Sequence, residues 1–353
     1  MMMVPCLATV MNRVILGDYV AEGAMCLDGT PAVYYIHVGD VNINKWIIFF
    51  SGGGWCYNDN LCSDRSVTDL GSSSGYPPTY DPPESGNGIQ SDDIARNPNF
   101  YNWNFVFVRY CDGASWAGYV EEQIHAGGRD FWYRGLLNYN AMIENLITVS
   151  NPSLSDATEV ILTGCSAGGL GAFFHCDALS ATLNPFGTAV TCLGNGNYFA
   201  DLPTFITGSG TRNIIRSEYQ SLMSIQDIQG GINQNCIAAQ PTEDEWKCMF
   251  PQYFLQDIET PTYVINSAYD DWQISNIWLT SGFGDQPPPS TWSQCASTFV
   301  CSPSQETILY KYNNRTMEYM EVAWKPDILP QVGTFITQCF THCLLNNHWT
   351  GPG

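Results

Sequence analysis

The sequence predicts an α/β fold: a mostly parallel central sheet with helices on both faces and long, cysteine-bearing loop insertions. Three observations carry this. Runs of strand length, rich in β-branched and aromatic residues, alternate with segments of helical periodicity. A buried-type strand through Val160, Ile161 and Leu162 leads into Gly164-Cys165-Ser166-Ala167-Gly168, a G-x-S-x-G turn, and then into an apolar helix-forming stretch. Fourteen cysteines in 353 residues, with 44% hydrophobic and only 13% charged residues, describe a large core and stapled loops.

In chain order, strands are expected at residues 32–38, 46–50, 105–110, 159–163, 189–193 and 262–266, each bounded by Gly, Asp, Asn or Pro. Helices are expected at 131–149, 167–183 and 271–279. In the first, Phe131, Leu136, Tyr139, Ile143, Leu146 and Ile147 form one apolar stripe. Strands separated by helices pair in parallel, with both faces of the sheet covered. Residues 70–98, rich in Gly, Ser, Pro and Asp, read as a long surface loop. Residues 208–247 read as a helical excursion ending in a cysteine loop, and 286–305, with Pro287, Pro288 and Pro289, as another loop. No repeat or linker interrupts the chain, so residues 1–353 are expected to form a single elaborated domain.

No apolar run approaches the ~18 residues of a membrane span. The first 16 residues lack a basic leader, a continuous apolar core and a cleavage site, so no signal peptide is evident there. The cysteines nevertheless argue for export, extracellular or to a cell wall. Their number is even, no C-x-x-C pair points to zinc or thioredoxin chemistry, and the short gaps Cys56–Cys62, Cys236–Cys248 and Cys295–Cys301 suit local disulfide loops. The plain alternative is a set of reduced, buried thiols packing as small hydrophobes. Asn314-Arg315-Thr316 is a glycosylation sequon. The net charge is −21, with lysine only at Lys45, Lys247, Lys311 and Lys325. Such a field repels nucleic acid and anionic lipid, which excludes a nucleic-acid partner and argues against membrane association. It also opposes a polyanionic substrate at neutral pH. The chain is expected to be a monomer.

The G-x-S-x-G turn makes the fold α/β-hydrolase-like and Ser166 its nucleophile, with the Ala167 amide facing the position of an oxyanion. The bland reading is a glycine-rich strand–helix connection. In this architecture an acid and then a histidine follow the serine along the chain. His37 and His125 precede it, and His175 lies on the helix just after it. That leaves His342, in Cys339-Phe340-Thr341-His342-Cys343, where a disulfide could fix the loop, and His348, in Asn347-His348-Trp349, a base or a pocket residue. The acid is Asp270, or its neighbour Asp271, after the strand at 262–266; either could merely cap the next helix. The strand at 46–50 runs into Ser51-Gly52-Gly53-Gly54-Trp55-Cys56, which can aim backbone amides at the site. Gly54 and Trp55 are the expected oxyanion donors, with Gly53 a further candidate. No Walker, dinucleotide or H-E-x-x-H motif is present, and the chemistry needs no metal and no organic cofactor.

At this point the chain resembles the plant pectin acetylesterases and the related Notum carboxylesterases. The matching stretches are Gly23-Ala24-Met25-Cys26-Leu27-Asp28-Gly29-Thr30-Pro31, Gly52-Gly53-Gly54-Trp55-Cys56, Asn102-Trp103-Asn104, Val108-Arg109-Tyr110-Cys111-Asp112-Gly113-Ala114-Ser115, Gly164-Cys165-Ser166-Ala167-Gly168-Gly169, Phe250-Pro251-Gln252-Tyr253, Asn266-Ser267-Ala268-Tyr269-Asp270 with Trp272-Gln273-Ile274, and Cys339 with His342. The resemblance implies the set Ser166, Asp270 and His342, and an oxyanion hole from Gly53 to Trp55 with Ala167. His348 would belong to a shared element beside the site. One departure stands out: Gly194-Asn195-Gly196-Asn197 replaces a usual Ser-Asp-Ala-Gly, so that Asn195 occupies the place of an aspartate at the pocket. The function implied is a secreted serine carboxylesterase removing O-acetyl groups from pectin-like polysaccharide. The competing readings are a Notum-like deacylase of a lipid ester on a protein, and an inactive glycan-binding protein.

Overall fold

The computed structural model describes residues 10–40, 42–81, 88–205, 212–282, 288–292, 294–295, 300–324 and 329–344. Its strands are β1 (Met11–Ile15), β2 (Val33–His37), β3 (Asn42–Phe50), β4 (Thr79–Tyr80), β5 (Trp103–Val108), β6 (Ile124–Ala126), β7 (Arg129–Phe131), β8 (Glu159–Cys165), β9 (Ala189–Asn195), β10 (Thr262–Tyr269) and β11 (Val332–Phe340). Nine of them form one sheet in the order β11-β10-β9-β8-β3-β5-β2-β1-β4, and β6 and β7 form a separate hairpin. The six strands from β11 to β5 run parallel. β2, β1 and β4 extend the sheet antiparallel.

Central strands read as unbroken apolar runs because both faces are buried. Trp46, Ile48 and Phe50 join the larger core, while Ile47 and Phe49 join the smaller one on the opposite face. After α1 (Asp59–Arg65), the helices α2 (Gly135–Thr148), α3 (Ala167–Phe174) and α4 (Cys176–Leu183) cover the larger core with Tyr139, Met142, Leu170, Phe173 and Leu179. The smaller core is covered differently from expectation. Tyr76 and Ile89 of the predicted surface loop are buried against it, and Tyr80 stacks on Phe107 at 4.5 Å. Within residues 70–98 the only helical piece described is one 3-10 turn, Gly88–Gln90. A few large apolar side chains in a polar stretch are enough to fold a loop down onto a sheet.

Two expected helices are shaped by side-chain contacts that periodicity does not reveal. The helix at 167–183 breaks at His175 into α3 and α4. The His175 ring stacks on Tyr139 at 3.8 Å, its Nε2 bonds the Trp116 carbonyl at 3.0 Å, and Cys176 is bridged to Cys192. After α5 (Ile214–Gln226), α6 (Gln234–Ala239) and α7 (Pro251–Phe254), the helix at 271–279 is a single turn, α8 (Asp271–Gln273), that widens into a π turn over Ile274–Trp278. α9 (Pro303–Met320) was not expected. It starts inside the predicted loop 286–305, at a capping box made by Ser302 and Gln305. The sequon lies on this helix, with Asn314 exposed and Thr316 buried.

All three short cysteine gaps are bridged. Cys26–Cys111, Cys165–Cys343 and Cys176–Cys192 complete six disulfides among the described residues, and Cys339 is an exposed free thiol. Among those residues no helix is long and apolar enough to cross a membrane.

Candidate active site

The carboxyl ends of the parallel strands converge, as they do at ligand sites of open α/β sheets. Residues 51–55 follow β3, Ser166 follows β8, Asn195 ends β9, Asp270 follows β10, and His342 lies just beyond β11. Ser166 sits between β8 and α3, as the motif predicts, with φ +61° and ψ −130°. A non-glycine residue in that region is strained, and such strain is held in place by its surroundings. Here the Ser166 amide donates to the Asn195 carbonyl at 2.9 Å. Gly52 lies so close that a Cβ there would sit 2.9 Å from the Ser166 Cβ. The glycine-rich loop is therefore packed directly against the serine turn.

His342 Nδ1 is 2.7 Å from Asp270 Oδ2. Asp270 also caps α8, since its Oδ1 accepts the Gln273 amide at 2.9 Å. A carboxylate can only accept, so this pairing puts the imidazole proton on Nδ1 and leaves Nε2 with its lone pair. His342 Nε2 has no hydrogen-bond partner among the described residues. Trp272 lies nearly parallel to the imidazole at 5.8 Å, and Phe199 flanks it at 6.0 Å. Burial alone lowers the His342 pKa; the charge and hydrogen bond of Asp270, with the charge of Asp271, outweigh it and leave the pKa raised above 6.5. Burial, reinforced by Asp270, raises the Asp271 carboxyl in turn.

These facts give a pH prediction. A general base works unprotonated, so with His342 in that proposed role its raised pKa is expected to place the acidic limb of kcat/KM above the ordinary imidazole value. Asp271→Asn removes one of the negative charges holding that pKa up, and is expected to move the limb toward acid. pH–rate profiles of both enzymes check this. A limb that stays in place, or moves toward base, would show that Asp271 does not act on His342.

The His342 loop is fastened to the serine turn at several points. The Cys165–Cys343 bridge joins the residue before Ser166 to the residue after His342. Asn195 Oδ1 accepts the Leu344 amide at 2.9 Å. Gly196, at φ +61°, packs on the His342 main chain where no side chain would fit. Asn195, expected at the pocket, is fully buried and holds this loop instead. An amide supplies the neutral acceptor oxygen that the Leu344 amide needs. The other described histidines lie apart. His175 is buried in the core, its pKa lowered to about 4 by desolvation, and His125 pairs with Asp130 on the exposed hairpin. His348 lies outside the described residues. Of the glycine-rich loop, Trp55 is buried, and its ring meets Phe199, Tyr219 and Trp272 edge-on.

Comparison with known proteins places this geometry. The family model described as Pectinacetylesterase matches residues 7–351. The chain belongs to the pectinacetylesterase family. It is 37% identical to pectin acetylesterase 5 of Arabidopsis thaliana over 325 residues, covering 91% of this chain and 71% of that protein. Pectin acetylesterase 4 of the same plant is 33% identical, covering 93% of this chain and 75% of its own length. The human palmitoleoyl-protein carboxylesterase NOTUM is 26% identical, over 78% of this chain and 55% of its own. The crystal structure of the Wnt deacylase Notum from Drosophila superposes with a TM-score of 0.75 at 21% identity, covering 95% of this chain and 86% of that one. That likeness bears out the α/β-hydrolase-like fold. As a member of the pectinacetylesterase family, the chain is a carboxylic ester hydrolase.

Proposed function

We propose that this family member is a secreted serine esterase that removes O-acetyl groups from cell-wall or extracellular polysaccharide. The observation that carries the reading is the Asp270–His342 pair, whose free Nε2 belongs to a loop bridged to the strained Ser166 turn. In the first half-reaction Ser166 Oγ attacks the ester carbonyl carbon and its proton passes to His342 Nε2. Asp270 stabilises the imidazolium. The carbonyl electrons move onto oxygen, which the amides of Gly54, Trp55 and Ala167 stabilise, with Gly53 behind them. Collapse breaks the bond to the sugar oxygen, which leaves with the proton from His342. Water then repeats the sequence on the acyl-enzyme and releases acetate. The six disulfides among the described residues fit an oxidising compartment. The plant relatives named for pectin are more similar than those named for a palmitoleoyl ester, which favours a short acyl group on a sugar.

Chain-length selectivity tests the substrate class. kcat/KM on p-nitrophenyl esters is expected to peak at acetate and fall steadily with acyl length, and acetate should be released from acetylated pectin. A preference for acyl chains of about eight carbons or more would replace this reading with lipid-ester deacylation. Complete inactivity on every ester would leave a glycan-binding role.

A further inference from the structure

The serine-esterase mechanism makes no use of one buried motif, the turn from Asp112 to Trp116. We propose that the Ser115 hydroxyl is a positioning group that locks the two halves of the oxyanion hole to each other. The inference rests on the hole being formed by Gly54, Trp55 and Ala167, as above.

These residues come from separate elements, the loop after β3 and the start of α3. Ser115 Oγ touches both. It accepts from Trp55 Nε1 at 2.8 Å and donates to the Ala167 carbonyl at 2.7 Å. The Ser115 amide donates to the Tyr110 hydroxyl at 3.0 Å, and that hydroxyl donates to the Gly54 carbonyl at 2.8 Å. Each of the three residues proposed to stabilise the oxyanion is thus tied, directly or through Tyr110, to one serine. Ser115, Tyr110, Trp55 and Ala167 are all buried, so this network lies away from competing water. Ser115 itself is fully enclosed and cannot touch substrate; it acts through Trp55 and Ala167.

The backbone shows that the position is held against its own preference. Ser115 has φ +55° and Trp116 φ +59°, two consecutive side-chain-bearing residues in the left-handed region. Asp112 Oδ2 enforces the turn by accepting the Ala114 amide at 3.0 Å and the Trp116 amide at 2.9 Å. Desolvation raises the Asp112 carboxyl to about 6. Trp116 wedges under the site against Phe50 and Tyr110, with ring centroids at 4.3 and 4.8 Å. On the helix side Gly171 leaves room for the Ser115 carbonyl, 2.8 Å from where a Cβ would stand. Strain maintained by this many contacts marks a place where geometry is being set. Oxyanion donors act only when preorganised, and displacing them by about 1 Å costs on the order of 100-fold.

The experiment uses Ser115→Ala, with Ser115→Gly as the companion that accepts the positive φ and so folds without that strain. Active sites are first titrated with diethyl p-nitrophenyl phosphate, whose modified residue is identified by peptide mass. Turnover of p-nitrophenyl acetate is then expressed per titrated site. Both variants are expected to lose about 10- to 100-fold in kcat per site while KM changes less than about 3-fold. The rate of phosphorylation should fall in parallel, and the pH limb set by His342 should stay in place. Ser115→Ala combined with Trp55→Phe should lose clearly less than the product of the two single losses, because both variants break the same Trp55 Nε1–Ser115 Oγ hydrogen bond. Wild-type kcat per site in either variant, or additive losses in the double variant, overturns the proposal. A parent enzyme that is not phosphorylated at Ser166 overturns the serine-esterase reading on which it rests. Phosphorylation at Ser166 with undiminished Ser115→Ala turnover overturns the positioning role alone.

Discussion

Replacing Ser166 by alanine is expected to lower kcat by about four to six orders of magnitude and leave the protein folded. The side chain lost is small, and alanine keeps the strained turn that the Asn195 carbonyl and Gly52 impose. What disappears is the atom that forms the acyl-enzyme; binding and oxyanion stabilisation remain. His342→Ala should cost about as much, because without Nε2 the hydroxyl stays protonated as it attacks. The double variant should be little worse than either single one, since residues that act as one unit are lost only once. Purified variants with matching circular dichroism and melting curves, assayed on p-nitrophenyl acetate, check this. Near-native turnover in Ser166→Ala would falsify the assignment, and additive losses would mean that serine and histidine do not work together.

The second large effect concerns the bridge between Cys165 and Cys343. Changing both cysteines to alanine removes the covalent tie while leaving no odd thiol behind. The His342 loop would then be held by the single Asn195–Leu344 hydrogen bond, the Asp270 pair and packing against Gly196. The expected loss is about 10- to 100-fold in kcat, since a base displaced by about 1 Å costs on that order. A bridge of this kind also stabilises a fold by about 2–4 kcal/mol, so the melting temperature should fall by several degrees. Removing Cys236–Cys248 in the same way supplies the control. That bridge fastens α6 to the segment ahead of Phe250, and its loss should lower stability with little change in kcat. If both pairs cost stability alone, the Cys165–Cys343 bridge is an ordinary staple.

Much of this site is legible in the sequence because its parts are local. A strand, a small-residue turn and a helix around Ser166 announce themselves within about fifteen residues, as does the glycine loop after β3. Asp270 follows its strand closely enough to be found by chain order. What stayed hidden depends on contacts between distant segments. The partner of Cys343 is 178 residues away, and spacing alone cannot select it. His175 looks like a helix residue until its ring is seen on Tyr139, a contact that ends α3 early. Residues 70–98 have a loop's composition, yet Tyr76 and Ile89 within them are buried against a sheet face. Ser115 ends one of the stretches that match the family, but nothing in that stretch foretells its positive φ or its long-range partners. Asn195 departs from the family pattern in the sequence itself, but its bond to Leu344 joins segments far apart in the chain. The capping box at Ser302 was readable, and a proline-rich approach obscured it.

The Cys165–Cys343 bridge also bears on when the enzyme becomes active. A ribosome completes the Ser166 turn long before it reaches His342, and the bridge can close only once β8 to β11 lie side by side. On the proposed mechanism, a chain still being made or still in a reducing cytosol carries a serine whose base is not yet fastened. The full hydrolytic rate then arrives with oxidative maturation. On the proposed export, the acyl groups of the cell's interior would meet a slower, unbridged enzyme, and the polymers outside would meet one whose catalytic loops are joined.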